Sequence, residues 1–284
     1  SHTGRHVVTI LRHLGAAAVL RRAARSRRPR AIASCGNAAI AAATLAERAE
    51  WPIEVFVPDW ASPSVLALLE VLGATVTTCP RRAGGPPGDP AVWRFREAVA
   101  EGHVPFSVQG PENALCLDGG RTIGWELADA GVALDRVLVQ VGGGAFAACT
   151  GWGLGDGVRL DAVQTEGCAP LARAVERAAA LDPADVPHRW SELMTPWEGP
   201  HSSADGILDD ETYDWLGVLD VMRRSGGRPV VVAEDAVVAA NALGVAAGYA
   251  VSATGSAGLA ALLAPGGREL GERVGVVFSG VRRG

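Results

Sequence analysis

The residues of this 284-residue chain with chemical potential gather at turns where a short apolar run meets the start of a helix. The first is Ile32-Ala33-Ser34-Cys35-Gly36-Asn37-Ala38. The opening N–H groups of a helix have no internal acceptor, and the helix dipole adds positive potential there, so this turn is a candidate cradle for a carboxylate or a phosphate. Small side chains at Ser34, Cys35 and Gly36 let a ligand approach the backbone, and the Asn37 amide can bond a second group on it. The same residues also suit an ordinary capped connection between strand and helix. The second turn follows the apolar run Val137–Val141, which leads straight into Gly142, Gly143, Gly144 and Ala145 and presents a row of amides with phosphate-binding geometry. The third is Ala253-Thr254-Gly255-Ser256-Ala257-Gly258-Leu259, and Phe278-Ser279-Gly280 sets a hydroxyl just past the last apolar run. A hydroxyl such as Ser279 suits a weakly basic ring nitrogen, whereas a carboxylate there would keep that nitrogen protonated.

Other combinations point elsewhere. Gly142, Gly144 and Ala147 satisfy Gly-x-Gly-x-x-Ala, and Glu166 ends the next apolar run where a ribose-binding acid would sit, so a nicotinamide dinucleotide competes for the same loop. Against it, the loop lies mid-chain, after an independent set of strands. The six histidines show no metal-ligand spacing, and the five cysteines are scattered without a Cys-x-x-Cys pair, which argues against a zinc knot or disulfide framework and leaves no metal site expected. His201-Ser202-Ser203-Ala204-Asp205-Gly206 is a polar loop that suits either a ligand or a capping role.

The elements that must position these turns alternate in type. A helical pattern over Val7 to Arg28 ends in a basic cluster before Pro29. Strands follow at 31–34, 53–58, 75–79 and 104–108, with helices at 38–49, 63–72 and 91–101 between them. After a polar crossing at 111–122 come a helix at 122–130, strands at 137–141, 160–166, 229–233 and 275–278, and helices at 170–180, 211–223, 235–247 and 254–263. A long Pro- and Trp-containing loop spans 182–206. This alternation predicts an α/β protein of two domains, 7–109 and 110–284, each an open, twisted, mostly parallel sheet flanked by helices. Ligands of such sheets collect at the carboxyl ends of the strands, so the turns at 34, 141 and 278 are expected to converge on one cleft between the domains.

Bulk properties narrow the partners. The composition is 48% hydrophobic and 20% charged with a net charge of −5, which gives no basic surface for nucleic acid or anionic membranes. No apolar run approaches a membrane span and no signal peptide is legible at the start, so a cytoplasmic protein is expected. All 26 basic residues are arginine. A chain without lysine lacks the side chain that forms Schiff bases.

Taken together, Ser34-Cys35-Gly36-Asn37, the Gly142–Ala145 loop, Val163-Gln164-Thr165-Glu166-Gly167, Ser203-Ala204-Asp205-Gly206, Thr254-Gly255-Ser256-Ala257-Gly258-Leu259 and Phe278-Ser279-Gly280 occur in an order that resembles the tryptophan synthase β-like (fold type II) pyridoxal phosphate enzymes. Asp118-Gly119-Gly120-Arg121-Thr122 and the late Ser-Gly look most like the threonine synthase and threonine/serine dehydratase branch. The resemblance implies pyridoxal 5′-phosphate as cofactor, a small amino acid as substrate and a homodimer. It places the cofactor phosphate on Gly142, Gly143, Gly144 and Ala145, the phenolic oxygen on Asn37, the ring nitrogen against Ser279, and the substrate carboxylate on Ser34 and the amides of Cys35 and Gly36. It implies a lyase or synthase that works by β- or γ-elimination or replacement; cysteine synthase-like β-replacement is the nearest alternative. Cys35 departs from the commoner Ser or Ala of the family.

The family's Schiff-base lysine follows a stretch that Thr3-Gly4-Arg5-His6 resembles, and the next residue here is Val7. Two expectations follow. Either a lysine carrying covalent cofactor, which standard letters omit, stands between His6 and Val7 and further N-terminal residues complete the second domain, or the chain is a lysine-free, non-catalytic amino-acid-binding relative.

Overall fold

The computed structural model describes residues 28–81, 84–85, 87–264 and 266–280, and the chain divides into two compact units, Ser1–Gly120 and Arg121–Gly284. Each unit is built on its own four-stranded parallel sheet with flanking helices, the α/β architecture that the alternation of elements predicts.

The first unit contains β1 (Arg30–Ala33), α1 (Asn37–Arg48), β2 (Ile53–Pro58), α2 (Pro63–Val71), β3 (Thr75–Cys79), α3 (Pro90–Ala100), β4 (Val104–Pro105) and the short α4 (Leu115–Gly120). Its strand order is β3-β2-β1-β4. Ile32, Val55 and Val57 bury one face of this sheet against Ala39, Ala42, Ala43 and Ala46 of α1, while Ala31 and Phe56 bury the other against Phe95 of α3. The alanines of α1 let the helix lie close to the sheet. Two expectations are corrected here. The strand predicted over 104–108 pairs only at Val104 and Pro105: Phe106 adds one bond to the Ala31 carbonyl, and then the Ser107 hydroxyl takes the Gln109 N–H and turns the chain. Proline lacks a donor and so belongs on an edge strand such as this one. The polar crossing at 111–122 contains α4, because fully buried Cys116 anchors it in the same core as Phe106.

The second unit contains α5 (Thr122–Asp129), β5 (Arg136–Gln140), α6 (Ala145–Leu154), β6 (Arg159–Thr165), α7 (Pro170–Ala178), the short α8 (Trp190–Leu193), α9 (Trp215–Ser225), β7 (Pro229–Val232), α10 (Glu234–Ala246), α11 (Ala253–Leu263) and β8 (Val274–Val276). Its order is β7-β6-β5-β8. The central β5 is buried along its whole length, and apolar cores lie on both of its faces, one under α6, α7 and α9, the other under α10 and α11. Gly124 and Gly153 allow α5 and α6 to cross at backbone contact, since a Cβ on Gly124 would sit 2.6 Å from the Gly153 backbone. At the amino ends of the strands, buried Arg136 donates to Asp161 (2.8 Å) and to the Gly267 carbonyl (2.8 Å), and Asp161 also accepts the Arg228 N–H (2.9 Å). The charged groups of this sheet are thus paired at the end opposite the glycine loop. The helix predicted from Glu211 starts only at Trp215, because the preceding residues are drawn to other partners: Asp214 N–H bonds the Gly143 carbonyl and Thr212 N–H the Met194 sulfur.

Candidate functional site

In the first unit, β1 ends at Ala33 and α1 begins at Asn37, so Ser34, Cys35 and Gly36 form the connecting turn and all four site residues are half-buried. The Ser34 hydroxyl accepts the Gly36 N–H at 3.4 Å, a bond within the turn, and no side chain caps α1. Gly36 has φ −133°, open to any residue, and a Cβ built on it would meet nothing within 4 Å. Among the described residues, neither a left-handed φ nor packing calls for glycine here. The helix predicted over Val7–Arg28 and the His6–Val7 junction lie outside the described residues.

In the second unit, Val141 closes the buried strand run and Gly142–Gly144 turn into α6. Gly144, the residue before α6, has φ +94°, a left-handed conformation that side chains adopt at a cost, and a Cβ there would press on the Thr212 methyl at 2.8 Å. A Cβ on Gly142 would run into the Asp209 carboxylate and the Ile207 backbone. The loop is therefore held from one side by the segment Ile207–Asp214, with Asp214 N–H on the Gly143 carbonyl at 2.7 Å. That support was not legible in the sequence, where these residues read as loop and helix start; the only signal is the run of acids, Asp209-Asp210-Glu211, beside the loop in space.

Ser279 stands beyond the carboxyl end of β8, the neighbour of β5, so it and the glycine loop share one edge of the same sheet. Its hydroxyl accepts from the Gln140 side-chain amide, and its N–H bonds the Gly255 carbonyl at 3.3 Å. The Gln140 amide also donates to the Gly255 carbonyl (3.3 Å), which fixes its orientation. The Thr254-Gly255-Ser256 turn grips this strand end: Ser252 caps α11 and bonds the Gly280 carbonyl through its N–H, and Gly255 leaves no room for a Cβ against the Gly280 backbone.

Two other sequence candidates have structural work. Glu166 accepts the Glu234 N–H at the start of α10 (3.0 Å), so its carboxylate caps a helix. In the His201–Gly206 loop, Ser202 donates to Glu234 at 2.6 Å and the Ser203 hydroxyl donates to the same carboxylate, while Asp205 accepts from Thr254 (3.1 Å). Burial alone would raise the Glu234 pKa, but the Ser202 and Ser203 hydrogen bonds override it and hold the carboxyl below its usual value. Among the described residues no group of three or more His, Cys, Asp or Glu could hold a metal ion, and no helix is long and apolar enough to cross a membrane.

Pyridoxal phosphate fits this arrangement at two ends and not at the third. Small residues at a helix start suit the phosphate. The Ser279 hydroxyl, already an acceptor toward Gln140, keeps its proton for a ring nitrogen. The aldehyde carbon, which a lysine amine would take, has no such partner, because none of the 284 residues is lysine.

The fold has many solved counterparts. A pyridoxal 5′-phosphate-dependent aspartate racemase shares 20% identity over 100% of this chain and 81% of its own, with a TM-score of 0.76. A threonine deaminase from T.th. shares 23% over 90% and 78%, with a TM-score of 0.71. The serine racemase of maize shares 19% over 89% and 72%, with a TM-score of 0.70. Identities this low show the fold alone. No curated protein matches the sequence. The family model described as pyridoxal-phosphate dependent enzyme matches residues 10–280, nearly the whole chain, and the chain belongs to that family, whose cofactor is pyridoxal 5′-phosphate.

Proposed function

We propose that this chain acts on a small amino acid through pyridoxal phosphate, by β- or γ-elimination or replacement of the threonine synthase or dehydratase kind, with cysteine synthase-like β-replacement as the nearest variant. The observation that carries this reading is the Ser279 hydroxyl at the sheet edge beside the glycine loop. When bound, the cofactor supplies an electron sink, and a ring nitrogen facing a hydroxyl stays largely unprotonated, which favours loss or exchange of a substituent over transamination. Gly142, Gly143, Gly144 and Ala145 would hold the phosphate through their amides, Asn37 the phenolic oxygen, and Ser34 with the Cys35 and Gly36 amides the substrate carboxylate. The bare backbone at Gly36 supports the last assignment. The Schiff-base lysine, expected between His6 and Val7, completes this reading, and a homodimer in the cytoplasm goes with it.

A panel of amino acids scored for keto acid, ammonia and phosphate release tests the reaction. Because racemases are among the structural counterparts, the panel also measures enantiomer conversion. Release of a keto acid or phosphate supports elimination or replacement; racemisation alone overturns it.

A second reading, a non-catalytic amino-acid-binding relative, is favoured by one observation, the lack of lysine. Peptide mapping across His6–Val7 separates the two: a continuous His-Val bond supports the second, and an added lysyl residue the first.

A further inference from the structure

We propose that Gln140 is the positioning residue that decides which way the Ser279 hydroxyl gives its hydrogen, and so keeps the ring nitrogen of bound pyridoxal phosphate unprotonated. The inference rests on the reading of Ser279 as the ring-nitrogen contact and deepens it by naming the residue that controls that contact. All the groups it uses belong to the second unit.

Gln140 is the single polar residue of the run Val137–Val141, and it is 3% exposed. A buried amide costs free energy unless its atoms are bonded. Only the nitrogen end of this one is: Nε2 donates to the Gly255 carbonyl (3.3 Å) and to the Ser279 hydroxyl, whereas Oε1 has no hydrogen-bond partner among the described residues. Oε1 lies instead against α11, where a Cβ on Gly258 would stand 3.2 Å from it. An apolar side chain of similar length would spare the sheet that orphaned acceptor. What glutamine adds is a donor aimed at Ser279.

The direction of that donor is fixed. The Gly255 carbonyl only accepts, so the amide end that meets it is the NH2; the flipped amide would set two oxygens together. Gly255 is in turn held, its carbonyl taking the Ser279 N–H (3.3 Å) and its N–H bonding the Ser252 hydroxyl (3.1 Å) that caps α11. A hydroxyl has one hydrogen and two lone pairs. With one lone pair facing Gln140, the hydrogen of the exposed Ser279 goes to a partner on another side. An unprotonated ring nitrogen accepts that hydrogen. A protonated one is itself a donor, and would require the hydroxyl to accept twice and to send its hydrogen away from Gln140, whose NH2 cannot take it. An acceptor at position 140 reverses the direction: the hydroxyl donates to the protein and turns a lone pair to the ring.

The test loads the full 284-residue chain with pyridoxal phosphate isotopically labelled at the ring nitrogen, and follows that nitrogen's NMR shift with pH in the parent, Gln140→Glu, Gln140→Met and Ser279→Ala. The phosphorus shift of the cofactor and a thermal melt check in each sample that the phosphate is seated and the fold intact. The proton affinity of the ring nitrogen should rise at least about tenfold, one pH unit, in Gln140→Glu and at least about threefold in Gln140→Met, which removes the donor without adding a charge. Because Gln140→Met is neutral, its shift separates hydrogen-bond direction from the field of a carboxylate, and it decides alone if Gln140→Glu does not fold. A Gln140→Met titration that overlays the parent's overturns the proposal. If Ser279→Ala moves the ring-nitrogen shift at the same time, the cofactor reading stands without Gln140; if Ser279→Ala also leaves it unchanged, the ring-nitrogen contact itself falls, and the proposal with it.

Discussion

The side-chain amide of Gln140 donates to the hydroxyl of Ser279, joining residues 139 apart in sequence that stand at the ends of neighbouring strands. Because the hydroxyl is used as an acceptor on the protein side, its proton stays available to a second partner. In Ser279→Asp that donor becomes a carboxylate, and the bound cofactor's ring nitrogen should gain a proton affinity higher by about one to three pH units. Absorbance of the bound cofactor titrated with pH reads this directly; an unchanged titration would remove Ser279 from the ring nitrogen.

Gly36→Ala separates packing from binding. The added methyl has nothing within 4 Å to strike and φ is −133°, so stability should change by less than about 0.5 kcal/mol. The methyl would nonetheless stand where a ligand reaches the backbone, and loss of one charge-assisted contact should weaken amino-acid binding about tenfold. Thermal melts and ligand titration of the same variant measure the two effects separately.

Gly144→Ala should do the opposite. A side chain at φ +94° costs about 1–2 kcal/mol, and the Thr212 methyl 2.8 Å from the new Cβ adds to it. Denaturant unfolding should show this loss in the absence of any cofactor, and phosphate or cofactor affinity should fall as well.

Asp161→Asn tests the buried pair at the other end of the sheet. Arg136 and Asp161 are almost wholly buried, and removing the Asp161 charge leaves Arg136 only the longer contact to Glu272 at 3.7 Å, a loss of about 3 kcal/mol. Urea unfolding should move accordingly, whereas Arg273→Ala, which breaks the exposed Asp135 pair, should cost under about 1 kcal/mol.

The Glu234 carboxyl adds an acid-side slope to stability. Its pKa lies below the unfolded value, so between the two values the unfolded chain binds more protons and stability rises with pH. The contribution is complete above the ordinary glutamate value of about 4.3 and is lost as pH falls through the folded value. Melting temperatures from about pH 6 to 3 should fall less steeply in Glu234→Gln than in the parent.

Most of the sheet framework was legible because strands and helices here carry distinct periods and short links. Ile53–Pro58 and Thr75–Cys79 fall on runs rich in β-branched residues, each preceded by a proline or a glycine-containing turn. The errors fall where a long-range partner overrides local pattern. Cys116 makes a helix of a polar, Gly-rich stretch by reaching a core that the sequence cannot display, and Thr212 and Asp214 leave a helical pattern to hold the glycine loop. In the same way, the glycine loop and the Ser279 hydroxyl could be named as candidates from residue type, but their sharing of a sheet edge depends on the β5–β8 pairing. The dinucleotide reading of Glu166 gives way to the pyridoxal-phosphate family match, and its carboxylate caps α10 instead: after a strand, a carboxylate is as useful to the next helix as to a sugar.

The pairing of β5 with β8 also sets an order of events during synthesis. The glycine loop and its supporting core emerge from the ribosome well before Val274–Val276, and β8 contributes only three residues to the edge. Contacts of such sequence separation form late, since loop closure has to precede them. The glycine loop can therefore take shape before β8 joins its sheet, whereas Ser279 reaches the shared edge only once the β5–β8 pairing has closed.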